Sequence, residues 1–215
     1  MNRERSPDPD GAWSKRGRCT ARTCSVRIVL LGAPGSGKGT QGEILAVRLA
    51  VRHVASGELL RENVAARTEL GQEVAGSLAR GDLVPDDIVM GIVEEAVAAA
   101  AAAGGYILDG FPRTRAQAER AYASAAELGI APDAAVYLAL DDAVARQRLA
   151  ARADGGRVDD ANISVIDHRL EVFHANMQPI LDFYASLGIL VTVDAAKPVE
   201  AVTDEILAAL PPART

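Results

Sequence analysis

An apolar run that stops on glycine and passes at once into helix-forming sequence leaves few folds open. Residues 26–41, VRIVLLGAPGSGKGTQ, have this form. Val26–Gly32 is a β-branched run suited to a buried strand, and helical patterning takes over at Lys38. A glycine-rich loop at such a junction can turn successive backbone N–H groups inward as a nest for an anion. The helix behind it adds the positive end of its dipole. Lys38 would reach a transferred phosphate. One position departs from the general phosphate-loop pattern, which ends Gly-Lys-Ser/Thr with the hydroxyl on Mg²⁺. Here Gly39 follows Lys38, and a hydroxyl comes only at Thr40. Gly35, Gly37 and Lys38 are all in place, so the loop does not read as damaged; the change at residue 39 removes one direct metal ligand.

Apolar runs and helical segments alternate along the rest of the chain. HVAS (53–56), YILDGF (106–111), AAVYLAL (134–140) and GILVTVD (188–194) are further strand candidates. Helical patterns fill the intervals, with a break near Thr68, Pro85 before an acidic first turn, and Pro179 expected to bend a long helix that begins near Asn162. Five strands separated by helices imply a parallel sheet with helices on both faces. At 215 residues the chain can bury one sizeable core. No internal repeat is visible.

The charge is unevenly spread. Residues 1–25 hold six Lys/Arg and three Asp/Glu, which is +3, so a net charge of −6 leaves −9 on the remainder. An acidic body disfavours indiscriminate nucleic-acid binding. No apolar run approaches the roughly 20 residues of a membrane span, and the first residues lack a signal peptide's apolar stretch. A cytoplasmic location without membrane contact is the resulting expectation. Cys19 and Cys24 both lie in the first 25 residues, which we read as a disordered extension.

A second constellation is LDGFPRTRAQ (108–117). Asp109 falls at the C-terminal end of a strand, the edge where ligands bind in open α/β sheets. A carboxylate there can hold Mg²⁺ through its water shell. Gly110 permits close backbone approach, and Arg113 offers a planar fork to a second phosphate.

Taken together, GAPGSGKGTQ, SGELLRENV, GDLVPDDIV, LDGFPRTRAQAE, GRVDD and VDAAKP occur in the order and spacing of adenylate kinases. The chain resembles that family from about Val26 to its C-terminus. The resemblance implies a three-layer α/β P-loop fold with a five-stranded parallel sheet. It also implies an inserted AMP-binding helical segment at about 55–84, a short lid at about 152–162, and Mg²⁺-dependent interconversion of ATP plus AMP with two ADP. By position, Gly35, Ser36, Gly37, Lys38, Gly39 and Thr40 would hold ATP phosphates, with Arg152. Arg148 and the backbone near Lys197 would meet the adenine. Ser56, Arg61, Asp82, Leu83, Val84, Gly110, Phe111, Pro112, Arg113 and Gln117 fall on the AMP side. Arg157 and Arg169 correspond to lid arginines that close over the transferring phosphate. Asp109 would hold Mg²⁺ through water. The family's loop likewise carries glycine at the position of Gly39. No structural zinc is expected, because the long four-cysteine lid of some relatives is absent, and a monomer is expected by resemblance.

The chemistry fits this residue set. The nucleophile in phosphoryl transfer to AMP is already a phosphate oxygen, so catalysis reduces to alignment and charge neutralisation. Arginines, a lysine and a metal are required, and no histidine is. His53, His168 and His174 are therefore read as structural or exposed. Three departures from the family stand out: Ser56 in place of threonine, Glu58 in place of aspartate, and one extra residue before Arg169. The rival readings are a kinase for UMP, CMP or GMP, and an inactive nucleotide-binding protein. Ser56, Thr114 and Gln117 favour adenine over pyrimidines, and no member of the arginine set is missing.

Overall fold

The computed structural model describes residues 26–153 and 163–212. Within them, β1 (Val26–Gly32) leads through the glycine loop into α1 (Lys38–Leu49). Next come β2 (Arg52–Ala55), α2 (Ser56–Ala65), α3 (Glu69–Arg80) and α4 (Asp86–Ala102). The chain continues through β3 (Gly105–Asp109), α5 (Arg115–Glu127), β4 (Ala134–Ala139) and α6 (Asp142–Ala153). It closes with α7 (Ile163–Ser186), β5 (Leu190–Asp194) and α8 (Val199–Ala209). The five strands form one sheet in the order β2-β3-β1-β4-β5, and every pairing is parallel. The expected three-layer α/β architecture is what the chain adopts.

Alternation along the strands builds the layers. Side chains two apart share a face, so Val29, Leu31, Tyr106 and Leu108 point to one side. There they pack with residues of α2 to α5 and α7. Ile28, Leu30, Ile107, Val136 and Leu138 point to the other, against Leu45 of α1 and Val202 and Ile206 of α8. Apolar residues on both faces of β1 explain why its sequence is a nearly unbroken apolar run rather than an alternating one. A third cluster, Ala33, Ala145, Leu149, Ile166 and Leu170, ties the start of the loop to α6 and α7.

Local chemistry sets the element ends. Thr68 caps α3 by accepting from Gly71 N–H, which is the break foreseen near that residue. Thr114 caps α5 by accepting from Gln117 N–H. Asp86 and Asp87 sit in the first turn of α4 behind Pro85, where negative charge complements the helix dipole. Strands β2 to β5 each differ from the sequence expectation by one or two residues at an end, β3 for instance ending at Asp109 and β4 at Ala139. Ser56 begins α2 instead of ending β2, and β5 starts at Leu190 because Gly188, at φ +71°, is used in the turn that follows α7. Pro179 lies inside α7.

Helices α1 and α8 are joined through a buried polar contact. Thr203, fully buried, donates its hydroxyl to Gln41 Oε1 at 2.8 Å, and Gln41 Nε2 donates to the Val199 carbonyl at 2.9 Å. Replacing Thr203 with valine preserves shape but leaves the Gln41 oxygen without that donor. We expect a loss of about 1–3 kcal/mol in denaturant unfolding; an unchanged midpoint would show that the contact is dispensable.

Candidate functional site

The site is assembled at the C-terminal edge of the sheet, where β1 and β3 end side by side. Leu30 pairs with Asp109, so the strand-end carboxylate stands two residues below the point at which β1 opens into the loop. A cavity of about 280 Å³ opens there. The loop supplies Gly35, Gly37, Lys38, Gly39 and Thr40 to its wall, β3 and the segment after it supply Asp109 to Arg113, and α7 supplies Arg169. Arg61 of α2, with Asp82 and Leu83 just after α3, completes the far side. Four cations and the Asp109 carboxylate thus share one space among the described residues.

Glycines shape the loop. Gly37, at φ +92°, is the residue before α1, a conformation that L side chains rarely adopt. The Lys38 ammonium donates to the carbonyls of Gly32 and Ala33 at 2.8 and 3.0 Å, which holds its side chain over the loop. Gly39 has a different reason to be small. A Cβ built there would lie 3.8 Å from Asp109 Oδ2 and would meet no closer atom, so residue 39 looks directly at the strand-end carboxylate.

Asp109 has a neighbour that sequence reasoning assigned only a structural or exposed role. His53 Nε2 lies 4.0 Å from Asp109 Oδ2, and the two side chains are 14% and 15% exposed. This ring nitrogen is buried and makes no hydrogen bond among the described residues. The contact follows from register: Ala55 pairs with Asp109, and His53, two residues earlier, points to the same face of the sheet. Gly42 makes room, since a Cβ on it would stand 2.3 Å from His53 Nε2. The only signal in the sequence was a histidine two residues before the end of a short strand, and its partner becomes visible only once β2 and β3 are paired.

The segment after β3 is braced from behind. Gln117 is buried, accepts from the Arg113 backbone N–H at 2.7 Å, and donates to Asp86 at 2.6 Å. Its amide thereby fixes the position of Arg113, whose Nε donates to the Gly110 carbonyl at 2.9 Å. The Phe111–Pro112 bond is cis. Ser56 is buried with its hydroxyl against Gly110, where a Cβ would approach to 2.7 Å. On the other side, Arg169 lays its stem across Gly81, whose added Cβ would meet Arg169 Cγ at 2.7 Å. The extra residue before Arg169 therefore does not carry it out of the cavity. His168 beside it contacts Asp82 at 2.9 Å, joining α7 to the end of α3. Hydrogen bonds from Arg80 and then His168 hold the Asp82 carboxyl below the usual carboxylate range. A depressed value means that this contact is fully formed above the ordinary carboxylate value and weakens as pH falls through the folded one.

Other residues singled out from the sequence stand outside the cavity wall. Ser36, Val84 and Gln117 are buried behind it. Lys197 donates to Glu205 at 2.6 Å on the surface, and Arg148 is half-buried on α6. Arg157, the side chain of Arg152, most of the expected lid and residues 1–25 lie outside the described residues. Among the described residues no three His, Cys, Asp or Glu side chains cluster closely enough to hold a metal ion, and no helix is long and apolar enough to cross a membrane.

Comparison with known proteins bears on the same segments. A family model described as adenylate kinase matches residues 30–189. A protein of Thermobifida fusca (strain YX) named adenylate kinase is 42% identical over 185 residues, spanning 86% of this chain and 98% of that protein. One of the same name from Synechococcus sp. (strain WH7803) is 44% identical over 184 residues, with the same coverage of 86% and 98%. Another from Stenotrophomonas maltophilia (strain R551-3) is 40% identical over 186 residues, spanning 86% of this chain and 99% of its own.

The two glycines on α1 allow a matched test of the packing. Gly42→Ala must displace the buried His53 ring and is expected to cost about 1–3 kcal/mol. Gly39→Ala, with only ordinary contacts to make, should leave stability unchanged or raise it by about 0.4–1 kcal/mol. Denaturant unfolding of both variants checks this; equal effects would refute the assigned packing around His53.

Proposed function

The chain belongs to the adenylate kinase family, and from that premise we propose how its cavity transfers the terminal phosphoryl group of ATP to AMP, giving two ADP. The observation that carries this reading is the convergence of Lys38, Arg61, Asp109, Arg113 and Arg169 on a single cavity at the strand ends. The relatives share the name adenylate kinase, so a kinase for UMP, CMP or GMP is not favoured.

The two substrates approach from opposite sides. ATP phosphates would lie on the backbone nest of Gly35 to Thr40, with Lys38 reaching the transferred group. Arg152 on α6 would extend this side, and Arg148 and the backbone near Lys197 would take the adenine. AMP would lie between Arg61 of α2 and Arg113, with the backbone of Asp82 to Val84 and of Gly110 to Pro112 around its base and Ser56 beneath. A phosphate oxygen of AMP attacks the terminal phosphorus of ATP. The bond from that phosphorus to the bridging oxygen breaks, and the leaving ADP keeps the electron pair. The attacking oxygen is already anionic, so no side chain has to take a proton from it. Arginines and Lys38 neutralise the crowded charge and fix the line of attack. Arg169 from α7 reaches this centre, and Arg157 would close over it with the lid segment, excluding water that would otherwise hydrolyse ATP.

Mg²⁺, which the family uses with ATP, suits the donors present. Asp109 faces Gly39 across an open gap at the loop, and one carboxylate with room around it matches an ion that keeps most of its water. Bound there through water, Mg²⁺ would supply charge neutralisation between the phosphates. His53 behind Asp109 would act as a positioning residue that limits where the carboxylate can turn.

A coupled assay with AMP, UMP, CMP and GMP tests the substrate reading: AMP should be turned over far faster than the others, and faster turnover of UMP would contradict it. In the same assay Lys38→Met should lose about 10²–10³-fold in turnover with the fold intact. Near-normal turnover by that variant would remove Lys38 from its assigned role.

A further inference from the structure

The end of α3 rests on α7 beside the cavity. Val165, His168 and Arg169 are spaced so that they share one face of α7. That face meets the turn of Gly81 and Asp82, which follows α3. A Cβ on Gly81 would stand 2.7 Å from Arg169 Cγ and 3.3 Å from Val165 Cγ1, so the bare glycine backbone lies directly against both side chains. Gly81 also ends the helix in the left-handed conformation, at φ +78°. Beside it, His168 Nε2 contacts Asp82 Oδ1 at 2.9 Å. The other carboxylate oxygen, Oδ2, accepts from Arg80 Nε at 2.7 Å, a second contact that fixes which way the carboxyl faces.

The rest of this stretch of α7 is anchored elsewhere. Ile166 and Leu170 are buried with Ala33, Ala145 and Leu149, and Asp167 accepts from Arg146 Nε of α6 at 2.8 Å. α7 is thus held to the start of the glycine loop and to α6, and the end of α3 docks on it. The docking contact is open to solvent, with the His168 and Asp82 side chains 43% and 36% exposed. Pairs this open contribute little to stability. What such a contact can fix is position.

We propose that His168 is a positioning residue that couples recognition of AMP to the placement of Arg169. This coupling rests on the reading above, in which the backbone of Asp82 to Val84 meets the AMP base and Arg169 reaches the transferring phosphate. Asp82 and His168 are each followed in the chain by a residue of the cavity wall, Leu83 and Arg169. One contact therefore sets the spacing between the wall that takes the base and the guanidinium that takes the phosphate. A base seated on that wall holds the turn against α7, and the stem of Arg169, lying across Gly81, is held with it. Without the contact the arginine loses its line on the phosphate, and a misplacement of about an ångström can cost on the order of 10²-fold in rate.

Steady-state kinetics of the full chain, with ATP and AMP varied in turn, test this. His168→Leu should raise KM for AMP and lower kcat, a combined loss of about tenfold or more in kcat/KM for AMP. KM for ATP and the thermal midpoint should stay unchanged. His168→Gln, whose amide can still donate to Asp82, should recover most of the loss. Asp82→Ala removes the same contact from the other element, so it should reproduce the His168→Leu kinetics even if one of the two variants folds poorly. The double variant should be no worse than either single one. Unchanged kcat/KM for AMP in the folded single variants would overturn the proposal. So would losses that add in the double variant, or a KM for ATP that rises as much as that for AMP. An unaltered chain that does not phosphorylate AMP would remove the underlying reading and the coupling together, so the unaltered chain separates the two failures.

Discussion

The arrangement depends first on the parallel register of β1 and β3. Leu30 stands opposite Asp109, and with that pairing the strand-end carboxylate and the mouth of the glycine loop share one edge. A slip of one residue would turn the odd and even side chains of β3 onto opposite faces, exposing Tyr106 and Leu108 to the wrong layer and taking Asp109 away from the loop. Burial on both faces forbids that slip, because the two apolar clusters are filled from alternate positions of the same strands. The core therefore fixes the site: packing that stabilises the sheet also sets the distance between the glycine loop and the carboxylate.

Around that fixed edge, the cationic residues come from elements that are not adjacent in sequence. Lys38 stands at the start of α1, Arg61 on α2, Arg113 before α5 and Arg169 on α7. Side-chain stems rest on glycines where they must pass close to backbone, as Arg169 does over Gly81. Buried amides brace the segments between, Gln117 behind Arg113 and Gln41 tying the loop helix to α8. Such preorganisation is what phosphoryl transfer needs from a protein, since a phosphate oxygen requires no activation and the remaining task is to hold charge in line.

Much of this was legible in the sequence for a physical reason. Glycine-rich loops, strand-end carboxylates and apolar runs owe their roles to local chemistry, so VRIVLLGAPGSGKGTQ and LDGFPRTRAQ announced the fold and most of the cavity wall. What was not legible depends on contacts between distant elements. His53 looked bland because its meaning lies in the pairing of β2 with β3 and in the missing side chain of Gly42 on another helix. The amide of Gln117 is engaged with Arg113 and Asp86, a bracing contact that no local pattern encodes. Gly39, the departure from the general loop pattern, gained a spatial sense: the position faces Asp109, and a Cβ there would meet no closer atom than its Oδ2.

The central claim is that one cavity brings two nucleotides end to end, with their phosphates meeting between the glycine loop and Arg113. Calorimetric titration with a bisubstrate molecule, two adenosines joined through a chain of phosphates, tests it most directly. The account predicts one molecule bound per chain, more tightly than ATP or AMP alone, and more tightly still with Mg²⁺ present. Two molecules bound per chain, or an affinity no better than that of AMP, would contradict it.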